Sequence, residues 1–192
     1  MIPKVIHYCW FGGKDLPELA IKCIESWKKY LPEYEIKEWN ESNFDLDLYK
    51  YTREAYDHKK YAYVTDVVRL YAIKNEGGVY LDTDVEILKP LDIFLHHSAF
   101  SGFENNSSVP TGIMASVKNG DWATDMLNYY NDKTFLDKEN NPVLETNVIV
   151  ITNLMKEKGI IMNNTYQEIS DYVVFYPHDY FCPKDHNTGI IN

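Results

Sequence analysis

Residues 63–86 read YVTDVVRLYAIKNEGGVYLDTDVE, and the fold class is legible in them. Val64, Val67, Val68, Tyr71 and Ala72 recur at three- and four-residue spacing, which predicts a helix from Ala62 to Asn75 with an apolar side. Gly77-Gly78 ends it, because glycine accepts the left-handed backbone angles that close a helix. Val79-Tyr80-Leu81 is then a short buried strand running directly into Asp82-Thr83-Asp84. Val85–Leu88 is expected to continue extended until Lys89-Pro90.

Upstream, Lys4–Phe11 (KVIHYCWF) is rich in β-branched and aromatic residues and ends at Gly12-Gly13, the pattern of a buried strand closing in a tight turn. From Pro17, apolar residues at Leu19, Ala20, Cys23, Ile24, Trp27 and Tyr30 keep helical spacing and stop before Pro32. Tyr34–Trp39 alternates like a strand with one solvated face. Strand, helix and strand in that order make a βαβ unit, and a polar, helix-prone stretch follows to about Lys60. Downstream, strands are expected near Ala99–Phe103, Gly112–Val117 and Tyr172–Phe175, and helices near Trp122–Tyr130 and Asn147–Lys158. No repeat, low-complexity tract or linker divides the chain, so one α/β domain is expected.

The 192 residues suit a single domain. With 29 acidic and 19 basic side chains the formal net charge is −10, which argues against a nucleic-acid-binding surface, since neutralising phosphate needs a basic field. Apolar residues make up 45% and charged residues 25%, the balance of a globular chain and not a disordered one. No run reaches the roughly 18 apolar residues of a membrane span, and Met1–His7 lacks the features of a secretory signal. Cys9, Cys23 and Cys182 are odd in number and far apart, so reduced, packed thiols of a cytoplasmic protein are expected, and no closely spaced ligand pairs point to zinc. The 16 Tyr, 8 Phe and 4 Trp offer faces that suit sugar C–H surfaces, although aromatics fill cores equally well.

Asp82 and Asp84 carry the clearest chemistry. Residues i and i+2 of a strand share a face, so both carboxylates can approach one hard cation, and ligands of α/β sheets bind beyond the carboxyl ends of strands. A divalent ion there could bridge a diphosphate and neutralise charge as a phosphate leaves. The plain alternative is a pair of solvated turn aspartates. Asp45-Leu46-Asp47 repeats the pattern, but it lies in a polar run ahead of a helical stretch, where aspartates cap the first turn. Asp66 and Arg69 stand at i and i+3 of the predicted helix among Val67, Val68 and Leu70. They either brace the helix, worth well under ~1 kcal/mol if exposed, or belong to the same site.

Together, the opening Ile2–Gly13 (IPKVIHYCWFGG), Trp39-Asn40 and the series Asp66, Arg69, Gly77, Gly78, Tyr80, Asp82, Asp84 resemble the metal-dependent D-x-D glycosyltransferases of the GT-A fold. More narrowly, the chain is similar to glycosyltransferase family 32, with its bacterial capsular-polysaccharide transferases and yeast initiating mannosyltransferases, and to the large clostridial glucosylating toxins. The similarity runs from Ile2 to about Asp92. It implies a single GT-A-like α/β domain whose mixed, mostly parallel central sheet is flanked by helices. Residues 1–95 would bind nucleotide sugar and metal, and residues 96–192 would form the acceptor side.

The resemblance further implies a retaining transfer of a hexose from a nucleotide-diphosphate sugar to a glycan or lipid-linked glycan, with Mn²⁺ or Mg²⁺ as cofactor. The setting it implies is capsular or surface polysaccharide synthesis in the cytoplasm, peripheral to the inner membrane. By the same resemblance Trp10 stacks on the nucleotide base, Asp66 and Arg69 hold the donor sugar, and Arg69 reaches the diphosphate. Asp82 would meet the ribose or sugar and the metal's water shell, and Asp84 would ligate the metal directly. Catalysis thus falls to Asp66, Arg69, Asp82 and Asp84. His7 is either a nucleotide contact or a satisfied strand histidine; Tyr80 either binds at the site or packs beneath it. No side chain stands out as a nucleophile, so a same-face displacement with the leaving phosphate as base is expected.

Such chains usually continue to a closing segment with a histidine and a Ser-x-Trp or Ser-Trp element, whereas residues 187–192 look like a hairpin cut midway. Either the chain is truncated, or another residue supplies those contacts, with His178, His186 and Asn187 as candidates; the expectation is that it binds nucleoside diphosphate with metal but transfers sugar poorly. Gly112-Ile113-Met114-Ala115 and Thr146-Asn147 are expected toward the acceptor. Two other classes fit parts of the pattern. A metal-dependent phosphoesterase would need more His and Asp ligands than the six histidines arrange. A non-catalytic nucleotide-sugar-binding relative would need only the donor residues.

Overall fold

The computed structural model describes residues 1–184. The chain opens with β1 (Val5–Cys9), α1 (Glu18–Tyr30) and β2 (Glu35–Trp39), and β1 and β2 pair in parallel with Ile6 opposite Ile36. A short 3-10 turn at Leu46–Leu48, α2 (Lys50–Asp57) and α3 (Tyr61–Asn75) lead to β3 (Gly78–Leu81), parallel to β1 on its other side. Next come β4 (Ala99–Gly102), β5 (Ile113–Ser116), α4 (Asp121–Asn128) and α5 (Asn147–Glu157). The described chain closes with β6 (Gln167–Ile169), β7 (Val173–Tyr176) and the single turn α6 (His178–Phe181).

All seven strands lie in one sheet, ordered β2-β1-β3-β5-β4-β7-β6. Because β5 is antiparallel to β3 and β4, and β6 to β7, five strands point one way and two the other. The mixed, mostly parallel α/β sheet is as expected. Alternation along β3 divides the core. Val79 and Leu81 pack with Cys23, Ile24 and Trp27 of α1 on one face, while Tyr80 packs with Val64, Val67 and Val68 of α3 on the other. Gly77 and Gly78 both have positive φ, and a Cβ on Gly78 would stand 2.6 Å from the Val5 carbonyl oxygen. Glycine is what lets β3 leave α3 and lie against β1.

Val85–Leu88 gains no strand partner among the described residues, since the β3–β5 register ends at Leu81 opposite Ile113. Side chains of α1 hold the segment instead: Trp27 Nε1 donates to the Val85 carbonyl at 2.7 Å, and the Ile87 N–H donates to Ser26 Oγ at 2.9 Å. Strand β6 and helix α6 were not expected; at three and four residues they are too short for a periodic signal. Cys9 and Cys23 are buried, Cys182 is half-buried, and all three are free thiols. Among the described residues no helix is long and apolar enough to cross a membrane. The expected hairpin at 187–192, His186 and Asn187 lie outside the described residues.

Candidate functional site

The parallel strands β1 and β3 end at the same sheet edge, with His7 opposite Tyr80 in the register. Trp10 follows β1 there, and Asp82 follows β3. Trp10 is half-buried, its backbone N–H bonded to the Trp39 carbonyl at 2.9 Å and its indole Nε1 donating to the Lys14 carbonyl at 2.6 Å. The ring is therefore fixed at the edge.

Asp82 extends the β3–β5 ladder by one residue, its N–H donating to the Gly112 carbonyl at 2.9 Å. Period two puts its side chain on the face of Tyr80 and α3. Asp82 Oδ1 accepts from the Tyr80 hydroxyl at 2.7 Å and lies 3.4 Å from Arg69 Nη1. A Cβ on Gly112 would crowd Asp82 Oδ2 at 3.3 Å, so glycine leaves that oxygen room. Asp84 lies in the following turn, which the Val85 N–H closes onto the Asp82 carbonyl at 3.0 Å. It is exposed, and among the described residues no side chain pairs with it.

Arg69 is buried beneath this edge, where its guanidinium donates three hydrogen bonds and faces two carboxylates. Nε donates to the Thr65 carbonyl (3.1 Å), Nη1 donates to the Thr111 carbonyl (2.6 Å) and faces Asp82, and Nη2 meets Thr65 Oγ1 (3.2 Å) and Asp66 Oδ1 (3.2 Å). The guanidinium carbon also sits 4.8 Å over the Tyr80 ring. Burial opposes its charge, but Asp82, Tyr80 and Asp66 outweigh that and hold the guanidinium firmly protonated. Burial pushes the Asp66 carboxyl up to about 6, against the pull of Arg69. The Asp66 carbonyl accepts from Asn147 Nδ2 at 3.2 Å, which ties the start of α5 to α3.

The two readings of Asp66 and Arg69 thus merge: they brace the helix, and they support Asp82 in doing so. Arg69 spends three hydrogen bonds on Thr65 and Thr111 and faces the carboxylates of Asp66 and Asp82, so its guanidinium is engaged within the protein. His7 is corrected as a nucleotide contact. It is fully buried, Nδ1 accepts from Trp39 Nε1 at 3.1 Å, and Nε2 donates to the Gly77 carbonyl at 2.8 Å, so neither nitrogen is open to a ligand. Tyr80 is likewise buried beneath the edge with its hydroxyl committed to Asp82. Ile113, Met114 and Ala115 lie inside the sheet as β5 and face no acceptor; Gly112 alone of that stretch reaches the site.

Asp45 caps the 3-10 turn through the Asp47 N–H, while Asp47 pairs with Arg53 (2.6 Å), so that copy is surface structure as expected, with Asp47 as an ion-pair partner and not a cap. His178 begins α6 beside Asp179. Thr65, the Thr111 carbonyl and Asn147's tie to Asp66 were not foreseen. Asn147 left a trace, as an amide opening an otherwise apolar helix, and Thr65 stands one turn before Arg69 on the same helix; the Thr111 carbonyl acts from 42 residues away through the backbone.

The donor set also bears on a metal. Among the described residues no group of three or more His, Cys, Asp or Glu could enclose an ion. Two carboxylates at an open edge fit Mg²⁺ or Mn²⁺, which keep waters and take phosphate oxygens beside one or two carboxylates.

Residues 17–101 match the family model described as glycosyltransferase sugar-binding region containing DXD motif, which brackets Asp66, Arg69, Asp82 and Asp84. Inositol phosphoceramide mannosyltransferase 3 of Schizosaccharomyces pombe is 31% identical over 121 residues, 61% of this chain and 34% of that protein, so the chain spans about a third of that relative's length. Among solved structures, the PaToxG glycosyltransferase superposes with a TM-score of 0.60 at 20% identity, covering 82% of this chain and 70% of that one. A glycosyltransferase involved in glycosylation of the major capsid of PBCV-1 gives 0.51 at 12% identity, covering 92% and 83%. In sequence over residues 17–101 the chain is similar to the DXD sugar-binding region of glycosyltransferases, and in fold over most of its length to two solved glycosyltransferases.

Proposed function

We propose that the chain is a metal-dependent glycosyltransferase moving a hexose, with retention, from a nucleotide-diphosphate sugar to a hydroxyl of a glycan or lipid-linked glycan. The observation that carries this is the shared edge of β1 and β3, where a fixed Trp10 follows one strand and the carboxylates of Asp82 and Asp84, inside the matched DXD region, follow the other. Trp10 stacks on the base. Asp84 and the free oxygen of Asp82 hold Mg²⁺ or Mn²⁺, whose charge, once bound, stabilises the departing diphosphate. Asp66 accepts hydroxyls of the donor sugar, and Arg69 keeps Asp66 and Asp82 in position.

In the transfer, the bond between the anomeric carbon and the diphosphate oxygen breaks, the acceptor oxygen bonds to that carbon on the same face, and the acceptor's proton passes to the leaving phosphate. Catalysis then rests on placement and charge, with no protein nucleophile. The name of the S. pombe relative supports a lipid-borne acceptor; a role in surface polysaccharide synthesis rests on the resemblance alone.

Calorimetric titration with a panel of nucleotide sugars, with and without Mn²⁺, tests the reading. Metal-dependent affinity should fall at least tenfold in Asp84→Asn and stay unchanged in Asp45→Asn and Asp47→Asn. Equal losses at both D-x-D copies, or binding indifferent to metal, would refute it.

A further inference from the structure

A cleft of about 220 Å³ opens between α2, the chain that follows α4, and the start of α5. Tyr51 and Tyr130 form its floor, their rings 5.0 Å apart and edge-on; Tyr129 and Val143 form its walls, and Lys133 and Glu145 stand at its rim. Tyr129 joins the rim together, since its hydroxyl donates to Glu145 Oε2 at 2.9 Å and Lys133 Nζ lies 4.2 Å over its ring. The rim loop is also fastened to α2. The Glu54 carboxylate accepts the backbone N–H groups of Phe135 (2.9 Å) and Leu136 (3.3 Å). The cleft is therefore formed before any ligand arrives, which lowers the ordering cost of binding.

Its position matters as much as its shape. The Tyr130 hydroxyl donates to Asn147 Oδ1 at 3.3 Å, and Asn147 Nδ2 donates to the Asp66 carbonyl at 3.2 Å. One buried asparagine thus separates the floor of the cleft from the turn of α3 that carries Asp66. Tyr51 and Tyr130 are pushed upward in pKa, first by burial and then by the Asp66 carboxylate, as groups that share one neighbourhood should be.

The lining selects a ligand class. Tyrosine rings and a valine suit the C–H faces of a sugar, whereas the carboxylate, ammonium and phenol suit hydroxyls that both donate and accept. Two rim carboxylates, Asp132 and Glu145, against the single Lys133 disfavour a phosphate. The volume is below the roughly 300–1,000 Å³ of sites for drug-sized molecules, which leaves room for one ring and not for a nucleotide.

We propose that this cleft seats a hexose ring of the acceptor glycan beside the donor sugar. Its place in the reaction rests on the donor reading above; the sugar binding itself does not. The test is saturation-transfer NMR on the full chain without donor, using methyl hexosides and the matching disaccharides as probes. Magnetisation should reach the sugar protons, and it should be lost in Tyr129→Ala and in Val143→Trp. Val143 is 42% exposed, so its replacement blocks the cleft without entering the core, and a thermal melt checks the fold of both variants. In the same variants metal-dependent nucleotide-sugar affinity should stay within twofold of the parent, donor hydrolysis should be unchanged, and the KM for acceptor should rise at least tenfold. If no probe receives magnetisation, or if transfer survives both substitutions, the cleft is not a sugar site. Loss of nucleotide-sugar binding in the unsubstituted chain would overturn the donor reading while the NMR result still decides the cleft.

Discussion

Replacing Arg69 by methionine keeps the length of the side chain and removes the fork that joins α3, β3 and the chain before β5. The consequences differ by partner. Asp82, with 35% of its side chain exposed, takes water in place of the guanidinium. The Thr111 carbonyl loses its 2.6 Å donor, and an unsatisfied buried acceptor costs about 1–3 kcal/mol. Asp66, only 11% exposed in its side chain, becomes an uncompensated buried charge, worth about 3–5 kcal/mol when a buried pair is broken from one side. These do not simply add, because Asp66 can take up a proton, and a total near 4 kcal/mol at pH 7 is expected. With a urea slope of about 2–3 kcal/mol/M, the unfolding midpoint falls by roughly 1.5 M.

The pH dependence has a definite sign. Asp66 already titrates at about 6 when folded, and losing Arg69 removes the main influence holding it down. A carboxyl raised above its unfolded value near 3.9 binds a proton on folding, so Arg69→Met regains stability as pH falls from 7 to 5. Asp66→Asn combined with Arg69→Met should cost less than the two single losses summed. A midpoint shift below ~0.4 M, a loss that ignores pH, or strict additivity would refute the account of Arg69 as the buried brace of the site.

The parent protein should show the same carboxyl at work. The stability that Asp66 contributes is fully present below about pH 4 and is lost as pH rises through about 6, while donor-sugar affinity runs the opposite way and falls below pH 6 as the accepting charge is lost; Asp66→Asn flattens both profiles. Trp10→Ala should weaken nucleotide-sugar binding by about 1–3 kcal/mol, roughly 5- to 150-fold, with Trp10→Phe recovering part of it; unchanged affinity in calorimetry would remove Trp10 from the base site. His7→Ala should lower the melting temperature and leave affinity per folded molecule intact, since both ring nitrogens serve the core.

The elements legible in the sequence are those whose period is long and whose ends carry glycine or proline: α1 after Pro17, α3 before Gly77-Gly78, and β3 running into Asp82. Asp82 and Asp84 were readable because their spacing is local and their strand is uniformly apolar. His7 could not be settled that way. A histidine in an apolar strand is the same pattern whether its nitrogens meet a nucleotide or, as here, Trp39 and the Gly77 carbonyl, 32 and 70 residues away. Arg69 posed a similar problem: its pairing with Asp66 is local and visible, but its bonds to Thr111 and Asp82 exist only once β5 is inserted beside β3. Strand β6 and helix α6 escaped because so few residues hold no period.

The stretch after Asp84 has no strand beside it and is held by Trp27 and Ser26 of α1, which lie on the opposite face of the sheet from Arg69. The exposed turn that carries Asp84 is therefore gripped from two sides, by α1 on one face of the sheet and by the Arg69–Asp82 pair on the other. A catalogue of inactivating substitutions sorted by distance from the carboxylates would misfile these positions. Ser26→Ala, which deletes the acceptor of the Ile87 N–H, would be expected to loosen this turn at a cost of about 1–3 kcal/mol. For inherited or engineered variants of this chain, the unit to protect is the grip on residues 85–87 and not the carboxylates alone.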